Sequence, residues 1–289
     1  MITLVPEQRQ DRETYRLGGK PPPGADSNAL IVVNRIAFFD ESTGKLHDGG
    51  KRALLRWACE RKLGQDPGLV AAVVRRRAVA MRALSADPGP RHCVRLQARP
   101  EWRLAVGLGS NANAHEIGLA LHGTYGWPVI PGSALKGLAA VWAVSSGVDA
   151  ADVWRVLGGP RNDVPYPQVE GVEGQRKPPA ARGTVCFLDA IPAGEPVIVV
   201  ADVLTPHVKP YYDGAATGNL VPPAEYHNPV PLTFLTVRGA YAVDLYGSDS
   251  KDVGLAAEWL TKAGDELGAG AKTSAGYGYL SVSPAGGTA

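Results

Sequence analysis

Residues 268–278 read GAGAKTSAGYG, so Gly268, Gly270, Gly276 and Gly278 surround Lys272, Thr273, Ser274 and Tyr277. Glycine tolerates positive φ and lets a ligand approach the backbone closely, so successive N–H groups can turn into one anion-binding hollow. A cation, two hydroxyls and bare amides at this density suit phosphate capture. A nucleotide P-loop is the wrong reading, because it needs glycine directly before Lys-Ser/Thr. Ala271 stands there instead, Glu266 occupies the place of the first glycine, and 17 residues after Lys272 leave no room for a nucleotide domain. A glycine-rich turn into a last strand is the plain alternative.

A second segment, residues 127–137, reads WPVIPGSALKG. Pro131 and Gly132 interrupt a strand-like stretch, Ser133 is a good N-cap, and Leu135, Leu138, Ala139 and Trp142 recur at helical spacing. Lys136 then falls in the first turn of a helix, where a cation opposes the helix dipole at a cost of about 0.3–1 kcal/mol. A phosphate held there would offset that cost; an ordinary solvated lysine would tolerate it.

Other groups able to do chemistry are scattered. His47 and His92 lie in or beside the first ninety residues, and His115, His122, His207 and His227 fall in loop-like contexts. Neither His115 nor His122 has a second base or a triad partner in view. Asp202 and His207 stand five apart without further ligands at useful spacing, so no metal site is expected and His207 reads as structural. No cofactor motif is present.

Taken together, the two lysine-bearing segments resemble the RAMP superfamily of CRISPR-associated RNA-binding proteins, where an IPGS-x-LKG helix start is paired with a C-terminal glycine-rich loop. RLAVGLG (Arg103 to Gly109), DVLTPHVKPYYDG (Asp202 to Gly214) and NPVPLTFLTV (Asn228 to Val237) narrow the resemblance to the sixth-subunit family of the type III-B effector, the Cmr complex. The likeness runs from about Arg91 to Val282. It implies a non-catalytic RNA-binding subunit in antiviral defence that holds the CRISPR RNA towards its 3′ end and caps the backbone filament. The implied partners are CRISPR RNA, target RNA, the backbone and small subunits, and a neighbouring RAMP head subunit.

The resemblance also supplies an alternative. The CRISPR-processing endoribonucleases share the superfamily fold and place a catalytic histidine shortly after the first core strand, roughly where His115 and His122 stand. The backbone subunits cut target RNA with an aspartate in the loop before the IPGS helix, whereas residues 110–126 contain no aspartate and Glu116 is their one carboxylate. A third reading is a scaffold whose basic surface meets acidic protein neighbours.

These residues need a frame. A chain of 289 residues that is 45% hydrophobic can bury a real core. Cys59, Cys93 and Cys186 are odd in number and widely spaced, suggesting neither zinc nor disulfides, with a reducing cytoplasm as the simplest setting. No export signal or bilayer-length apolar run is seen. The net charge of +2 hides a division: residues 45–103 carry 14 Lys or Arg against 5 Asp or Glu, a local +9 that leaves −7 elsewhere. Concentrated basic charge is what a polyanion-binding face requires.

Helices are expected over Lys51–Leu63 and Leu69–Leu84. In the second, Val70, Val73, Val74, Ala78, Met81 and Leu84 form a stripe, Arg75, Arg76 and Arg82 lie opposite, and Arg77 within the stripe implies a paired or partner-facing arginine. Next, Val94, Leu96 and Ala98 should face the core, leaving Arg95 and Arg99 on a basic sheet face open to RNA. Further strands are expected at Gly183–Asp189, Val197–Leu204, Leu232–Val237, Ala240–Tyr246 and Tyr277–Ser283, with a helix over Lys251–Ala263. That order is an α+β, ferredoxin-like (RRM-like) βαββαβ core over 91–289, preceded over 1–90 by a basic, partly helical extension packed on it. Pro/Gly-rich insertions fall at 21–25, 159–183 and 205–231, the last with Tyr211, Tyr212 and Tyr226 able to stack bases or dock a neighbour.

Overall fold

The computed structural model describes residues 6–9, 12–18, 27–39, 43, 45–46, 49–86, 91–110, 114–159, 180–206 and 232–285, with isolated positions between 207 and 231. Its strands are β1 (Pro6–Arg9), β2 (Arg12–Gly18), β3 (Ile36–Phe39), β4 (His92–Pro100), β5 (Gly158–Gly159), β6 (Ala181–Arg182), β7 (Val185–Phe187), β8 (Ile191–Pro192), β9 (Ile198–Leu204), β10 (Leu232–Arg238), β11 (Tyr241–Gly247) and β12 (Leu280–Pro284). Its helices are α1 (Ala29–Arg35), α2 (Gly50–Glu60), α3 (Pro67–Ala86), α4 (Gly132–Ser145), α5 (Ala150–Leu157) and α6 (Ser250–Glu266). No described helix is long and apolar enough to cross a membrane.

The central sheet is antiparallel, in the order β12-β4-β11-β7, with β8 also on β11. The period-two pattern of β4 decides its orientation. Leu96 and Ala98 are buried, and Ala98 sits opposite Val282 and Tyr241 in the two neighbouring registers. One face of the sheet is covered by α6, with α4 packed along α6. Their side chains, among them Leu135, Ala139, Trp259 and Leu260, join Leu96, Val243, Leu245 and Leu280 in the main core.

The opposite face is not open, as expected from β4 alone. Helix α3 lies across it, with Val73 and Val74 packed on Val129, Ile191 and Ala242. Asp66 caps α3, its carboxylate accepting from Leu69 N–H at 2.7 Å, and Pro67 starts it at the position where a missing N–H costs nothing. The basic face therefore shrinks to its margin, where Arg99 remains exposed.

Other expectations are revised. β9 and β10 pair with each other as a separate two-stranded ribbon, not as members of the central sheet. The N-terminal part is more than helical, since β1, β2 and β3 form a three-stranded sheet there. Helices α1 and α5 have no counterpart among the sequence-based expectations.

Long-range polar links fix the N-terminal elements. Phe38 N–H donates to His115 Nε2 at 2.9 Å, and the Gln65 amide exchanges two hydrogen bonds with the Val197 backbone, at 2.9 and 3.0 Å. Val33, Phe38, Leu54, Trp57 and Leu63 share one continuous buried cluster with Leu135, Val243 and Leu260.

Candidate nucleic-acid interface

The glycine segment follows α6 directly. Gly268, at φ 73°, closes the helix in the left-handed conformation, its N–H reaching back to Ala263 O at 3.1 Å. Gly270 runs so close to the segment after β4 that a Cβ there would lie 2.4 Å from Ala105 O, and Ala271 N–H donates to that same oxygen at 2.8 Å. Gly278 N–H donates to Arg103 O at 2.8 Å, and Ala269 N–H to Gly278 O at 2.7 Å. The loop is thus stitched to residues 101–105 along its length.

This stitching consumes most of the amides imagined as one anion hollow. Those of Gly268, Ala269, Ala271, Ala275, Gly276, Tyr277 and Gly278 all donate within the protein. Among the described residues, the N–H groups of Gly270, Lys272, Thr273 and Ser274 find no acceptor. Lys272 is itself left-handed (φ 66°), at a cost of about 1–2 kcal/mol for a residue with a Cβ. It and Ser274 are exposed, while Thr273 is half-buried. What remains is a smaller turn centred on Lys272.

Tyr277 departs from its expected place among exposed RNA contacts. It is 2% exposed, its ring packs against Phe234 and Trp102, and its hydroxyl donates to Asp202 Oδ2 at 2.8 Å. Asp202 also pairs with Arg103 and accepts from Val203 N–H at 2.9 Å. Burial works against the Asp202 carboxylate, but these donors outweigh it and hold its pKa below the ordinary value. Burial and the hydrogen bond to Asp202 push the Tyr277 phenol up to about 12.

Linkage gives each shift a sign. The Asp202 contribution to stability is present above its unfolded pKa of about 4 and is lost as pH falls below that. The Tyr277 contribution is present below about pH 10 and is lost as pH climbs through 12. Thermal melts of Asp202→Asn should therefore show a shallower acid decline below about pH 4 than the wild type, and a variant as acid-sensitive as wild type would remove this role.

The start of α4 also differs from expectation. Pro131, not Ser133, is the N-cap, and Gly132 and Ser133 are already helical. Gly132 is buried, with room for no Cβ, which would lie 2.2 Å from Phe187 O. Its N–H donates to Asp189 Oδ1 at 2.7 Å. A carboxylate from outside the helix thus already occupies the positive end of the dipole, which lowers the cost of Lys136 without a ligand. Ser133 is exposed and Lys136 half-buried. Farther along, Trp142 Nε1 donates to Glu266 at 2.8 Å and Lys262 lies over the Trp142 ring at 5.2 Å, so α4 meets α6 just before the glycine loop begins. Lys136 precedes Trp142 by six residues, about 9 Å of helix.

Arg95 is committed elsewhere. Its Nε and Nη2 grip the fully buried Asp244 at 2.6 and 2.9 Å. Arg77 Nε lies 2.7 Å from the same carboxylate, out of line for a hydrogen bond, and its Nη1 donates to Asp189 O at 2.6 Å. The arginine within the apolar stripe of α3 is indeed paired. Burial lowers its pKa from the usual value against the pull of Asp244. Arg75, Arg76 and Arg82 face solvent with Arg99.

The histidines weighed for catalysis are built into the scaffold. His115 is buried with Nε2 accepting from Phe38, which requires a neutral ring protonated at Nδ1. His122 Nδ1 accepts from Thr124 and Tyr125 N–H at 3.1 and 3.3 Å, closing a tight turn. Glu116 is exposed at φ 55°. No cluster of metal-ligating side chains occurs among the described residues. His207 and Tyr212 lie outside the described residues; Tyr211 and Tyr226 are exposed.

No protein-family model matches the chain. Its sequence is 28% identical over 232 residues to the CRISPR system Cmr subunit Cmr6 of Pyrococcus furiosus, spanning 65% of this chain and 68% of that protein. Its fold is similar to a chain in the cryo-EM structure of the Type III-B Cmr-beta bound to cognate target RNA, with a TM-score of 0.56 at 17% identity over 80% of this chain and 72% of that one. The crystal structure of Cmr6 from Pyrococcus furiosus aligns with 66% of this chain and 98% of that one, at 25% identity and a TM-score of 0.36. The sequence likeness marks the chain as Cmr6-like, and its fold is that of a chain in a type III-B Cmr complex.

Proposed function

We propose that the protein is a non-catalytic RNA-binding subunit of a type III-B interference complex, holding the 3′ region of the CRISPR RNA and capping the backbone filament in the cytoplasm. The observation that carries this reading is the turn at Lys272: a left-handed, exposed lysine with the consecutive amides of Lys272, Thr273 and Ser274 unclaimed by described groups, on a loop whose other amides, Gly270 apart, are hydrogen-bonded within the protein. Strain at an exposed cation supports a site here because unclaimed amides accompany it; Lys62 is also exposed with positive φ, so the strain alone would not. Ser133 and Lys136 on α4, and Arg99 on β4, extend the phosphate-contacting surface. Gly132, Gly268, Tyr277 and Arg95 serve it from beneath, and the exposed Gly270 and Gly276 shape the backbone of the turn. Contacts of this kind fix a backbone without reading bases.

The same reading takes the sheet order β12-β4-β11-β7, with α4 and α6 as its crossovers, as a ferredoxin-like core. The partners it implies are the CRISPR RNA, the target RNA and neighbouring Cmr subunits. The non-catalytic part is supported by His115 and His122, each of which spends a ring nitrogen on backbone amides.

The test is a salt titration of single-stranded RNA binding. Lys136→Ala with Lys272→Ala should weaken binding alike across sequences and flatten log affinity against log salt by about 0.7 for each lost contact. The RNA should leave the titration uncut. Unaltered slopes in the folded double variant would remove the phosphate role, and cleavage abolished by His122→Ala would favour an endoribonuclease.

A further inference from the structure

We infer that Trp102 is a stacking platform for one unpaired nucleobase, next to the phosphate-contacting turn at Lys272. The inference rests on the RNA-binding reading above and names the part of the ligand which that reading leaves unassigned.

Trp102 is 50% exposed, which is unusual for an indole with buried neighbours. One side of it is built in: its ring centroid lies 4.8 Å from that of Tyr277 at 41°, and Tyr277 in turn lies 5.6 Å from Phe234. The Arg103 guanidinium sits 5.0 Å from the indole centroid. The layer beneath cannot shift easily, because the Tyr277 hydroxyl is fixed on Asp202 and Asp202 on Arg103. A ring placed this way has little freedom left to lose when a flat partner arrives, which favours binding.

Its neighbourhood selects the partner. Glu101 N–H donates to Tyr279 O at 3.0 Å, and Tyr277 N–H to Lys272 O at 3.3 Å, so the segment carrying Trp102 runs beside the turn carrying Lys272. A π surface flanked by cations suits a nucleotide, with the base on the indole and the phosphate towards Lys272. The base must be unpaired, since a duplex has both faces of every internal base already stacked.

The experiment compares the full-length wild type, Trp102→Ala and Trp102→Phe on one labelled single-stranded RNA and on the blunt duplex of the same sequence. Trp102→Ala should weaken single-strand binding by about 5- to 100-fold. The salt slope should stay at the wild-type value, in contrast to the lysine variants, and Trp102→Phe should recover most of the affinity. Duplex binding should not change. Should Trp102→Ala not fold, the wild type is titrated with single strands carrying one abasic nucleotide at successive positions, and one position should stand out.

Single-strand affinity left intact by Trp102→Ala, an equal loss on the duplex, or a flat abasic series would each overturn the platform while leaving the RNA-binding reading in place. A wild type that binds no RNA would overturn that reading instead. Tight Trp102-dependent binding of poly-glutamate without RNA binding would assign the indole to a protein neighbour.

Discussion

Replacing Asp244 by alanine is expected to destabilise the fold by about 3–5 kcal/mol, the penalty for stranding charges that a buried carboxylate had paired. Asp244 is fully buried on β11, while the side chains of Arg95 and Arg77 are 23% and 16% exposed. Removing the carboxylate leaves two guanidiniums close together with neither able to reach bulk water fully. The measurement is denaturant unfolding, where the midpoint should fall with little change in slope. Taking out the whole triad is a different matter. Arg77→Met, Arg95→Met and Asp244→Leu together should recover most of the loss, because apolar side chains of similar volume often replace buried ions at no net cost. A single Asp244→Ala variant within about 1 kcal/mol of wild type would show that the triad is solvated after all.

The second large effect is expected at Gly278. Its φ of 83° already excludes most side chains, and an added Cβ would stand 2.0 Å from Ala269 O. The left-handed conformation costs alanine about 1–2 kcal/mol and relief of the clash about 1–3 kcal/mol more, so Gly278→Ala should lose roughly 2–5 kcal/mol. Two bonds that stitch the loop to the core, Ala269 N–H to Gly278 O and Gly278 N–H to Arg103 O, are the ones the shift would break. Gly276 provides the contrast. It has a similar φ of 86° but open space where a methyl would stand, with no atom within 4 Å, so Gly276→Ala should lose only the conformational share. Equal stability of the two variants in the same unfolding experiment would refute the steric argument.

Much of the frame is legible in the residues. Alternation along β4 and the stripe of α3 are local signals, and these elements, like α6, fall within a few residues of the stretches expected to form them. What the residues do not reveal is placement in space. The periodicity of β4 marks an inner and an outer side, but nothing in it says that α3 returns to cover the outer one. Arg77, inside an apolar stripe, is the visible hint of that return, since a buried guanidinium needs a carboxylate. Likewise the glycine loop reads as a row of free amides because composition shows who can donate, not who already does. The ribbon of β9 and β10 shares strand signals with the central sheet, and pairing partners leave no trace in a period of two.

Trp102 is the instructive omission in the site. A lone tryptophan after a strand reads as core, and only its position outside Tyr277 gives it another meaning. Asp189 is similar: a carboxylate 57 residues from Gly132 gives no sign in sequence that it closes the helix bearing Lys136.

The paired hydrogen bonds between the Gln65 side chain and Val197 have a consequence for synthesis on the ribosome. The two positions are 132 residues apart, so the helices of the first third leave the exit tunnel long before their partner strand has been translated. At about 5–20 residues per second, that wait lasts roughly 7–26 s. Throughout it, the apolar sides of α1, α2 and α3 have only one another and β2 to β4 to close upon, without the later strands of the core they share. Early elements of this polypeptide therefore persist as a nascent, partly covered unit, and the link to Val197 can lock only as the last third emerges.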